Sequence, residues 1–521
     1  RLGLWSDVIS NTMTDLIEAV VTPAAGQSVV LAPELFLAAA LCGLWLVASG
    51  RFTPCFHDLL GLTVGLTAVA TALSAIWLYA HQSEVVLFGG LAVVNLYTQA
   101  VKLLCLVGVL PVVLGYVQRH DRTPVQTQLL MTTALFFMFA LVSSNSLLTA
   151  YLNIEGLSIM LYVLAGAART HGSSEAGLKY YGAGAAISAV LLFGVALTYH
   201  GAQSFELAEI AGLLWNGSET VALVVGLRLV GLALLMKLAA VPGHVWAPDV
   251  YEGVPTSVTA FFSTVSKMMV FAFTARFLYG CLGVAAGDLI RQNNVAVAVI
   301  AAVSITIGCF GALGQVTFKR FIAYASINQI GFLLIGLAVG SAAGAQRSLH
   351  YLVVYMAAGV ALFAALLAIE SYGFQIRYLS DLAAAFHRGA AGPTLLAFIA
   401  VLSMAGLPPF AGFFGKYALW AVLISGLQSA ATTAEGLALT GLLATSVVTS
   451  LFSMYYYLRV LKATVFDRTE AVDGLPKLDG LVLPAAGVAV GAVLTLWRFL
   501  LPLFVDLAAL ELILAGVAVS G

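Results

Sequence analysis

The chain alternates long apolar runs with short polar breaks along almost its whole length. Most runs are close to the roughly 20 residues that an α-helix needs to cross a bilayer. The pattern therefore predicts an all-α polytopic membrane protein with about fourteen transmembrane helices. The predicted spans are residues 31–49, 60–80, 98–118, 124–143, 146–167, 176–199, 219–241, 253–280, 293–313, 320–342, 346–370, 393–426, 434–461 and 480–502.

Proline interrupts two of these runs at corresponding places. Pro242 follows Lys237 in the seventh run, and Pro408 and Pro409 precede Lys416 in the twelfth. Because proline lacks an amide hydrogen and crowds the carbonyl four residues earlier, both helices should break there and form hinges. Broken helices five spans apart indicate two five-helix repeats, spans 4–8 and 9–13. An odd number of helices in each repeat makes the second repeat inverted relative to the first.

This pattern divides the chain into five parts. They are an N-terminal extension (1–30), the first three transmembrane helices (31–118), a first five-helix repeat (124–280), a second five-helix repeat (293–461), and a last transmembrane helix with a C-terminal tail (462–521).

The loops give an orientation. Lysine and arginine gather in alternate loops, for example at Arg119, Arg169 and Arg377. By the positive-inside rule, that side faces the cytoplasm or the mitochondrial matrix. The sequence begins at Arg1 instead of Met and has extended ends, which we interpret as favouring the mitochondrial inner membrane over the alternative, a bacterial plasma membrane.

The composition supports the membrane class and excludes others. Of the 521 residues 61% are hydrophobic and 9% charged, whereas soluble domains carry about 25% charged residues. The net charge is −1 and no basic patch with interleaved aromatic residues occurs, which excludes nucleic-acid binding. The five cysteines form no CxxC pair, and the glycines in 181–188 form no complete GxGxxG motif. We expect no cofactor and no metal in this chain.

Ionisable residues inside the apolar runs carry the candidate chemistry. Lys237, Lys267 and Lys416 lie in the seventh, eighth and twelfth spans, and Glu155 lies near the middle of the fifth. A charge at bilayer depth costs about 3 kcal/mol or more, so it usually faces a partner or a water-filled cavity and often belongs to an ion pathway. We predict that Glu155 contacts Lys237 and that the four residues form a proton relay. The alternative is a set of charges that pair only to stabilise helix packing.

Three further residues are candidates for supporting roles. His244 and Asp249 lie beside the Pro242 break and either contact lysines, cap the start of the eighth span together with Glu252, or control water access. His350, in the eleventh span, either relays a proton between the repeats or is an interface histidine without a transport role. Other basic residues near span ends are interpreted mainly as structural: Lys102, Arg228 and Arg276.

Three long stretches carry a recognisable pattern. They are VPGHVWAPDVYEGVPTSVTAFFSTVSK (241–267), KRFIAYASINQIGFLLIGL (319–337) and AGLPPFAGFFGKYALW (405–420). In this order and spacing they resemble the antiporter-like membrane subunits of respiratory complex I. Within that family, WAPDVYEGVPTSVTAF and LKYYGAGAAISAVLLFG resemble the branch called subunit N in bacteria and NADH dehydrogenase subunit 2 in mitochondria. The resemblance covers roughly residues 31–502.

The resemblance implies a function. It implies a fourteen-helix fold around a central hydrophilic axis, with proton pumping by Glu155, Lys237, Lys267 and Lys416. It also implies other complex I membrane-arm subunits and membrane lipids as partners, with NADH, FMN, iron–sulfur clusters and ubiquinone held by other subunits. One position departs from the family, since Gly243 stands where a bulky residue usually follows the proline.

Two other functions stay open at this point. One is a stand-alone cation/proton antiporter module, which would share the fold and would work without NADH. The other is a scaffold subunit that has lost pumping, although the presence of all four charges argues against it.

Overall fold

The computed structural model describes residues 30–48, 59–81, 84–118, 125–218, 220–281, 288–387, 389–430 and 432–465. The described part is almost entirely helical, which confirms the predicted fold class. Eight of its helices are long and apolar enough to cross a membrane. The fourteenth predicted span (480–502), the C-terminal tail and the N-terminal extension up to residue 29 lie outside the described residues.

The N-terminal part contains three helices and one hairpin. Its elements are α1 (Ala32–Ala48), α2 (Leu59–His81), β1 (Val85–Leu87), β2 (Ala92–Val94) and α3 (Leu96–Gln118). The two strands are antiparallel, with Val85 opposite Val94. The hydrophobic pattern did not predict this hairpin, because three-residue strands are too short to show the alternation that marks a strand.

The middle part contains the first broken helix. Its elements are α4 (Val125–Ser143), α5 (Leu147–Gly166), α6 (His171–Ala202), the short α7 (Leu207–Trp215), α8 (Val221–Lys237) and α9 (Trp246–Gly253). The eighth predicted span follows as α10 (Thr256–Ala260), a π-helical turn (Phe261–Ser266), α11 (Lys267–Arg276) and a second π-helical turn (Phe277–Cys281). Polar side chains cap several helix starts, as where Thr220 Oγ1 accepts a hydrogen bond from the Leu223 amide before α8.

The C-terminal part contains the second broken helix. Its elements are α12 (Asp288–Leu313), α13 (Phe318–Ala338), α14 (Ala342–Ser371), the short α15 (Asp381–His387), α16 (Ala391–Ala405), α17 (Ala411–Ser429) and α18 (Thr433–Val465). The division of the helices into two inverted repeats stays a prediction.

Both predicted helix breaks are confirmed. The seventh span is interrupted between the end of α8 at Lys237 and the start of α9 at Trp246, and the Val241–Pro242 peptide in this gap is cis. The twelfth span is interrupted between α16 and α17, where the Pro408–Pro409 peptide is cis. Each break frees backbone carbonyl groups at a helix end inside the protein.

The helices form an inner and an outer group. The helix that runs from Thr256 to Tyr279, together with α13 and α14, is almost completely buried. In contrast, α6 and α18 expose large apolar side chains, including Leu178 and Leu451. Such an apolar exterior suits lipid contact, whereas the buried inner helices carry Lys267 and its neighbours.

Small residues allow the closest helix contacts. A Cβ atom on Gly226 of α8 would lie 2.5 Å from the amide nitrogen of Thr198 in α6. A Cβ atom on Gly308 of α12 would lie 2.3 Å from the amide nitrogen of Asn328 in α13. Small residues of this kind bring backbones together in membranes, where the hydrophobic effect does not drive helices to associate. At these two contacts they fix α6 on α8 and α12 on α13.

Candidate functional site: a row of buried lysines

Lys237 is held by a carboxylate and two hydroxyl groups. Its Nζ donates hydrogen bonds to Glu155 Oε1 (3.1 Å), Ser158 Oγ (2.7 Å) and Ser188 Oγ (3.0 Å). Ser188 Oγ in turn donates to Glu155 Oε1 (2.6 Å). The side chains of Lys237 and Glu155 are only 9% and 23% exposed. The predicted contact between Glu155 and Lys237 is therefore present, and the three donors of the ammonium group are all used.

The local fold explains this cluster. Glu155 and Ser158 are three residues apart on α5 and so face the same side of the helix. Ser188 comes from α6, which packs against both α5 and α8. Lys237 is the last residue of α8, where the free carbonyl groups of the broken helix favour a positive charge. The break thus places the ammonium group between α5 and α6.

Lys267 has a different environment. It is 4% exposed, and its Nζ donates to Ser326 Oγ of α13 (2.7 Å). The same nitrogen lies 5.2 Å from the centroid of the Tyr251 ring. Within the part of the chain that the structure describes, no carboxylate pairs with Lys267. A π-helical turn directly precedes Lys267 and changes the direction in which the following side chains point from the helix. Such turns occur often at functional sites.

Lys416 binds the open end of the second broken helix. Its Nζ donates to the carbonyl oxygen of Ala405 (3.0 Å), the last residue of α16, and lies 4.5 Å from the centroid of the Phe332 ring. Gly406, which follows Ala405, has φ +80°, and a Cβ atom there would lie 2.9 Å from Lys416 Cδ. A glycine is therefore needed both for the turn and for the close approach of the lysine.

Polar residues of α13 fill the space between Lys267 and Lys416. Ser326 and Gln329 are three residues apart on one face of α13. Gln329 Nε2 donates to the carbonyl oxygen of Met404 (2.8 Å), the neighbour of the Ala405 that binds Lys416, and Tyr351 Oη donates to Gln329 Oε1. The cavity beside Ser326 and Gln329 measures about 10 Å³, which is about the minimum for one water molecule.

Four polar residues around the lysines were not predicted from the sequence. Ser158, Ser188 and Ser326 each accept a hydrogen bond from a lysine. The fourth, Gln329, donates to the carbonyl oxygen of Met404, next to the Ala405 that binds Lys416. The available signal was weak: the spacing of Ser158 from Glu155, and of Gln329 from Ser326, is one helical turn.

A family model described as "NADH:quinone oxidoreductase/Mrp antiporter, TM" matches residues 144–443. The NADH-quinone oxidoreductase subunit N of Granulibacter bethesdensis is 37% identical over 483 residues, which cover 90% of this chain and 95% of that protein. Subunit N 1 of Acidiphilium cryptum is 36% identical over 445 residues, which cover 84% of this chain and 88% of that protein. The chain belongs to the subunit N family.

Solved structures agree with the assignment to the subunit N family. A chain of respiratory complex I from Thermus thermophilus with bound aureothin superposes with a TM-score of 0.70 at 29% identity, covering 90% of this chain and 98% of that chain. Chains of the Mrp complex from Dietzia sp. and of an archaeal membrane-bound sulfane sulfur reductase superpose with TM-scores of 0.75 and 0.78. At 21% and 18% identity, these two show a shared fold alone.

The subunit N relatives also bear on localisation. The relatives named above come from bacteria, so the preference for the mitochondrial inner membrane is not supported. A multi-pass protein of the bacterial plasma membrane, the alternative in the sequence analysis, is what these relatives indicate.

In this member of the subunit N family, Asp249 binds two cations at one end of the helices. Its Oδ2 accepts from Lys179 Nζ (2.8 Å) and its Oδ1 from Arg320 Nη1 (2.7 Å). The hydrogen bond from Lys179, reinforced by Arg320, holds the pKa of the Asp249 carboxyl below its usual range. Of the three alternatives, contact with a lysine is therefore present, whereas no side chain caps the start of α10.

The two histidines lie outside the row. His244 is half-buried in the break, and within the described residues it forms no hydrogen bond with Lys237 or Lys267. His350 lies on α14, and the hydrogen bonds described above for Ser326, Gln329 and Lys416 are made with other groups.

A wide charged cavity opens beside Asp249. It measures about 1100 Å³ and contains both acidic and basic side chains, among them Lys179, Arg320 and Glu370. At its edge Thr256 Oγ1, in the first turn of α10, donates to Glu370 Oε1. Water therefore has access to the start of the helix that carries Lys267.

Met236 leaves no room for a side chain at Gly243. A Cβ atom on Gly243 would lie 2.5 Å from Met236 Cβ, the residue before Lys237. We expect Gly243→Ala to lower the thermal stability of the assembled protein by about 1–3 kcal/mol, because the crowding displaces the end of α8. Heating followed by native electrophoresis measures this loss.

Two further variants check the cause of that loss. Gly212→Ala is the control, because a Cβ atom at Gly212 meets nothing within 4 Å. Gly243→Ala/Met236→Ala keeps Met236 Cα and Cβ, the two atoms nearest the added methyl group, so it should stay destabilised. A stable Gly243→Ala protein would contradict the crowding.

Proposed function

We propose that this chain is a membrane-arm subunit of a bacterial NADH-quinone oxidoreductase, respiratory complex I, and that it translocates protons. The subunit N relatives support the place in the complex. The proton role is supported above all by one observation, the buried Lys237 ammonium group that Glu155 and two serines hold at the end of a broken helix. Lys267 and Lys416 extend this arrangement across the second half of the chain.

Proton uptake begins at the side that carries the loop cations. The charged cavity beside Asp249 brings water to the protein there. Lys237 takes up a proton, and the Glu155 carboxylate stabilises the charged ammonium group that results. Glu155 is thus the group through which the protonation of Lys237 is set.

Release from Lys237 follows a change at Glu155. When a neighbouring subunit draws the Glu155 carboxylate away, the ammonium group loses its compensating charge and its proton moves on toward Lys267. A membrane potential of 100 mV opposes the movement of one charge by about 2.3 kcal/mol. The attraction of two charges about 4 Å apart in a protein is about 4 kcal/mol. Breaking one ion pair is therefore enough to drive the step.

Transfer onward uses the polar residues of α13. The protonated Lys267 donates a hydrogen bond to Ser326 Oγ, and its Nζ lies over the ring of Tyr251. From there the water-sized cavity, Gln329 and Tyr351 lead to the backbone carbonyl groups beside Lys416. Lys416 releases the proton or exchanges it with a neighbouring subunit.

Electron transfer takes place elsewhere in the complex. We assign NADH, FMN, the iron–sulfur clusters and ubiquinone to other subunits, because this chain offers buried ionisable groups and no motif for a redox cofactor. Its partners are accordingly the other membrane-arm subunits, membrane lipids and protons.

Native electrophoresis tests the place of this chain in the complex. Gently solubilised membranes are separated, stained for NADH oxidation, and probed for the chain in the same lane. We expect it to migrate with a large band that oxidises NADH. A small unstained band would instead support a stand-alone cation/proton antiporter, which the shared fold of the Mrp complex chain permits. Sodium-dependent proton exchange in vesicles would then be measured.

A further inference from the structure

A second buried lysine–carboxylate pair lies outside the row of lysines. Lys102 of α3 is fully buried, and its Nζ donates to Glu34 Oε1 of α1. The same nitrogen lies 5.8 Å from the centroid of the Phe139 ring in α4. Both residues precede the part of the chain that the family model matches. This pairing is consistent with a structural role for Lys102, but it does not explain the buried polar atoms around the pair that lack hydrogen-bond partners.

The surroundings of this pair contain unmet polar atoms. Gln99 is fully buried and lies one helical turn before Lys102, on the same face of α3. Within the described residues, neither its Oε1 nor its Nε2 has a hydrogen-bond partner, and the same holds for Glu34 Oε2. A buried polar group without a hydrogen-bond partner is destabilising. Several of them together mark a place for internal water.

The pair lies beside the helix that carries Lys267. Tyr97 Oη of α3 donates to the carbonyl oxygen of Ala272 in α11 (2.9 Å). Further along α3, a Cβ atom on Gly108 would lie 3.1 Å from Val265 Cγ2. The two helices therefore run antiparallel, and Lys102 lies along α3 between the levels of Val265 and Ala272.

The pair also lies toward one face of the membrane. Glu34 is in the first turn of α1, and Lys102 is in the second turn of α3. Both helices run from there toward loops that carry Arg51 and Arg119. The pair is therefore near the face opposite the loop cations, and the Glu34 side chain is 15% exposed.

We propose that Glu34, Gln99 and Lys102 form a second, hydrated proton-holding site, through which some protons leave Lys267 toward the face opposite the loop cations, in parallel with the route through Lys416. This inference rests on the proposed function. Water at Gln99 accepts the proton that leaves the Lys267 ammonium group and passes a proton to the free Oε2 of Glu34, so that an N–H bond breaks at Lys267 and an O–H bond forms at Glu34. Glu34 later gives this proton to water at that face. Lys102 stabilises the carboxylate between these steps and keeps its own charge.

Replacing both Glu34 and Lys102 tests whether the pair holds protons or only stabilises the fold. Exchanging a buried ion pair for apolar residues of similar size is often neutral or stabilising, so Glu34→Leu/Lys102→Leu should assemble and oxidise NADH in uncoupled membranes. We expect fewer protons translocated per NADH in vesicles. An unchanged ratio would overturn the site. Glu34→Asp keeps a carboxylate and should retain pumping.

The matched control is Thr71→Val in α2. Its side chain is fully buried among the first three helices, and within the described residues its hydroxyl group bonds only to Thr67 in its own helix. This variant should pump like the native protein. If the double variant does not assemble, Gln99→Leu takes its place, since it removes the unmet amide and leaves both charges. The number of protons translocated per NADH should fall in Gln99→Leu, and an unchanged number would also overturn the site.

A parallel measurement on Lys237→Ala separates the two possible failures. If Lys237→Ala abolishes pumping and the double variant does not lower it, the second site alone is wrong. If neither variant lowers the ratio, the proposed proton role of the chain is wrong as well.

Discussion

Replacing Lys237 with alanine is expected to remove most of the proton translocation that this chain contributes per NADH, while uncoupled NADH oxidation continues. The variant removes the ammonium group and leaves Glu155, Ser158 and Ser188 without their shared partner. Breaking one side of a buried pair costs about 3–5 kcal/mol, so the amount of assembled complex should fall too. Proton movement in vesicles is therefore measured per assembled complex.

Lys237→Arg makes this test sharper. Arginine keeps the positive charge and can still pair with Glu155, but it does not release its proton in proteins. A structural role therefore predicts normal pumping in Lys237→Arg, whereas a proton carrier predicts a loss close to that of Lys237→Ala. Lys462→Ala is the matched control, because Lys462 is an exposed lysine in the last turn of α18, away from the charged cavity. Normal proton translocation in Lys237→Ala would refute the carrier role.

The parts of this site that the sequence predicted share one property. Glu155, Lys237, Lys267 and Lys416 are charged residues inside apolar runs, where their cost makes them conspicuous. The two breaks were predictable for a similar reason, since proline excludes a continuous helix. The end of α8 at Lys237, five residues before Pro242, was not predictable, because the contacts with α5 and α6 determine it.

The parts that the sequence did not predict are polar but uncharged. Ser158 donates to the carbonyl oxygen of Ile154 in its own helix while accepting from Lys237. Most serines in helices bond to their own backbone in this way, so the residue type alone does not reveal a second contact. Lys102 shows the same limit for a charge, since its partner Glu34 comes from a different helix, α1. Contacts of this kind depend on tertiary structure.

Asp249 illustrates how the fold decides between alternatives. The sequence left lysine contact, helix capping and water access open for it. Because α9 follows the break and presents Asp249 to α6 and α13, the carboxylate reaches Lys179 and Arg320 together. These contacts place it at the edge of the charged cavity, where it orders the two cations instead of capping a helix.

Gln329→Leu is expected to slow proton transfer from Lys267 to Lys416 without removing a charge. The leucine side chain fills similar space but bonds neither to the carbonyl oxygen of Met404 nor to the hydroxyl group of Tyr351. If the lost hydrogen bonds raise the barrier by about 1.4 kcal/mol, proton transfer slows about tenfold. We therefore expect fewer protons per NADH in vesicles, with uncoupled NADH oxidation unchanged.

Two comparisons decide how a result at Gln329 is interpreted. Gln329→Glu restores an acceptor for Tyr351 and should recover pumping, which a general packing defect would not allow. Thr306→Val is the control, since in the described part of the chain the Thr306 hydroxyl bonds only to Ala302 within α12. If Gln329→Leu translocates as many protons as Thr306→Val, protons do not pass from Lys267 to Lys416 along α13. If Gln329→Leu loses pumping and Thr306→Val does not, the Gln329 amide is needed for proton transfer between Lys267 and Lys416, because neither lysine has been altered.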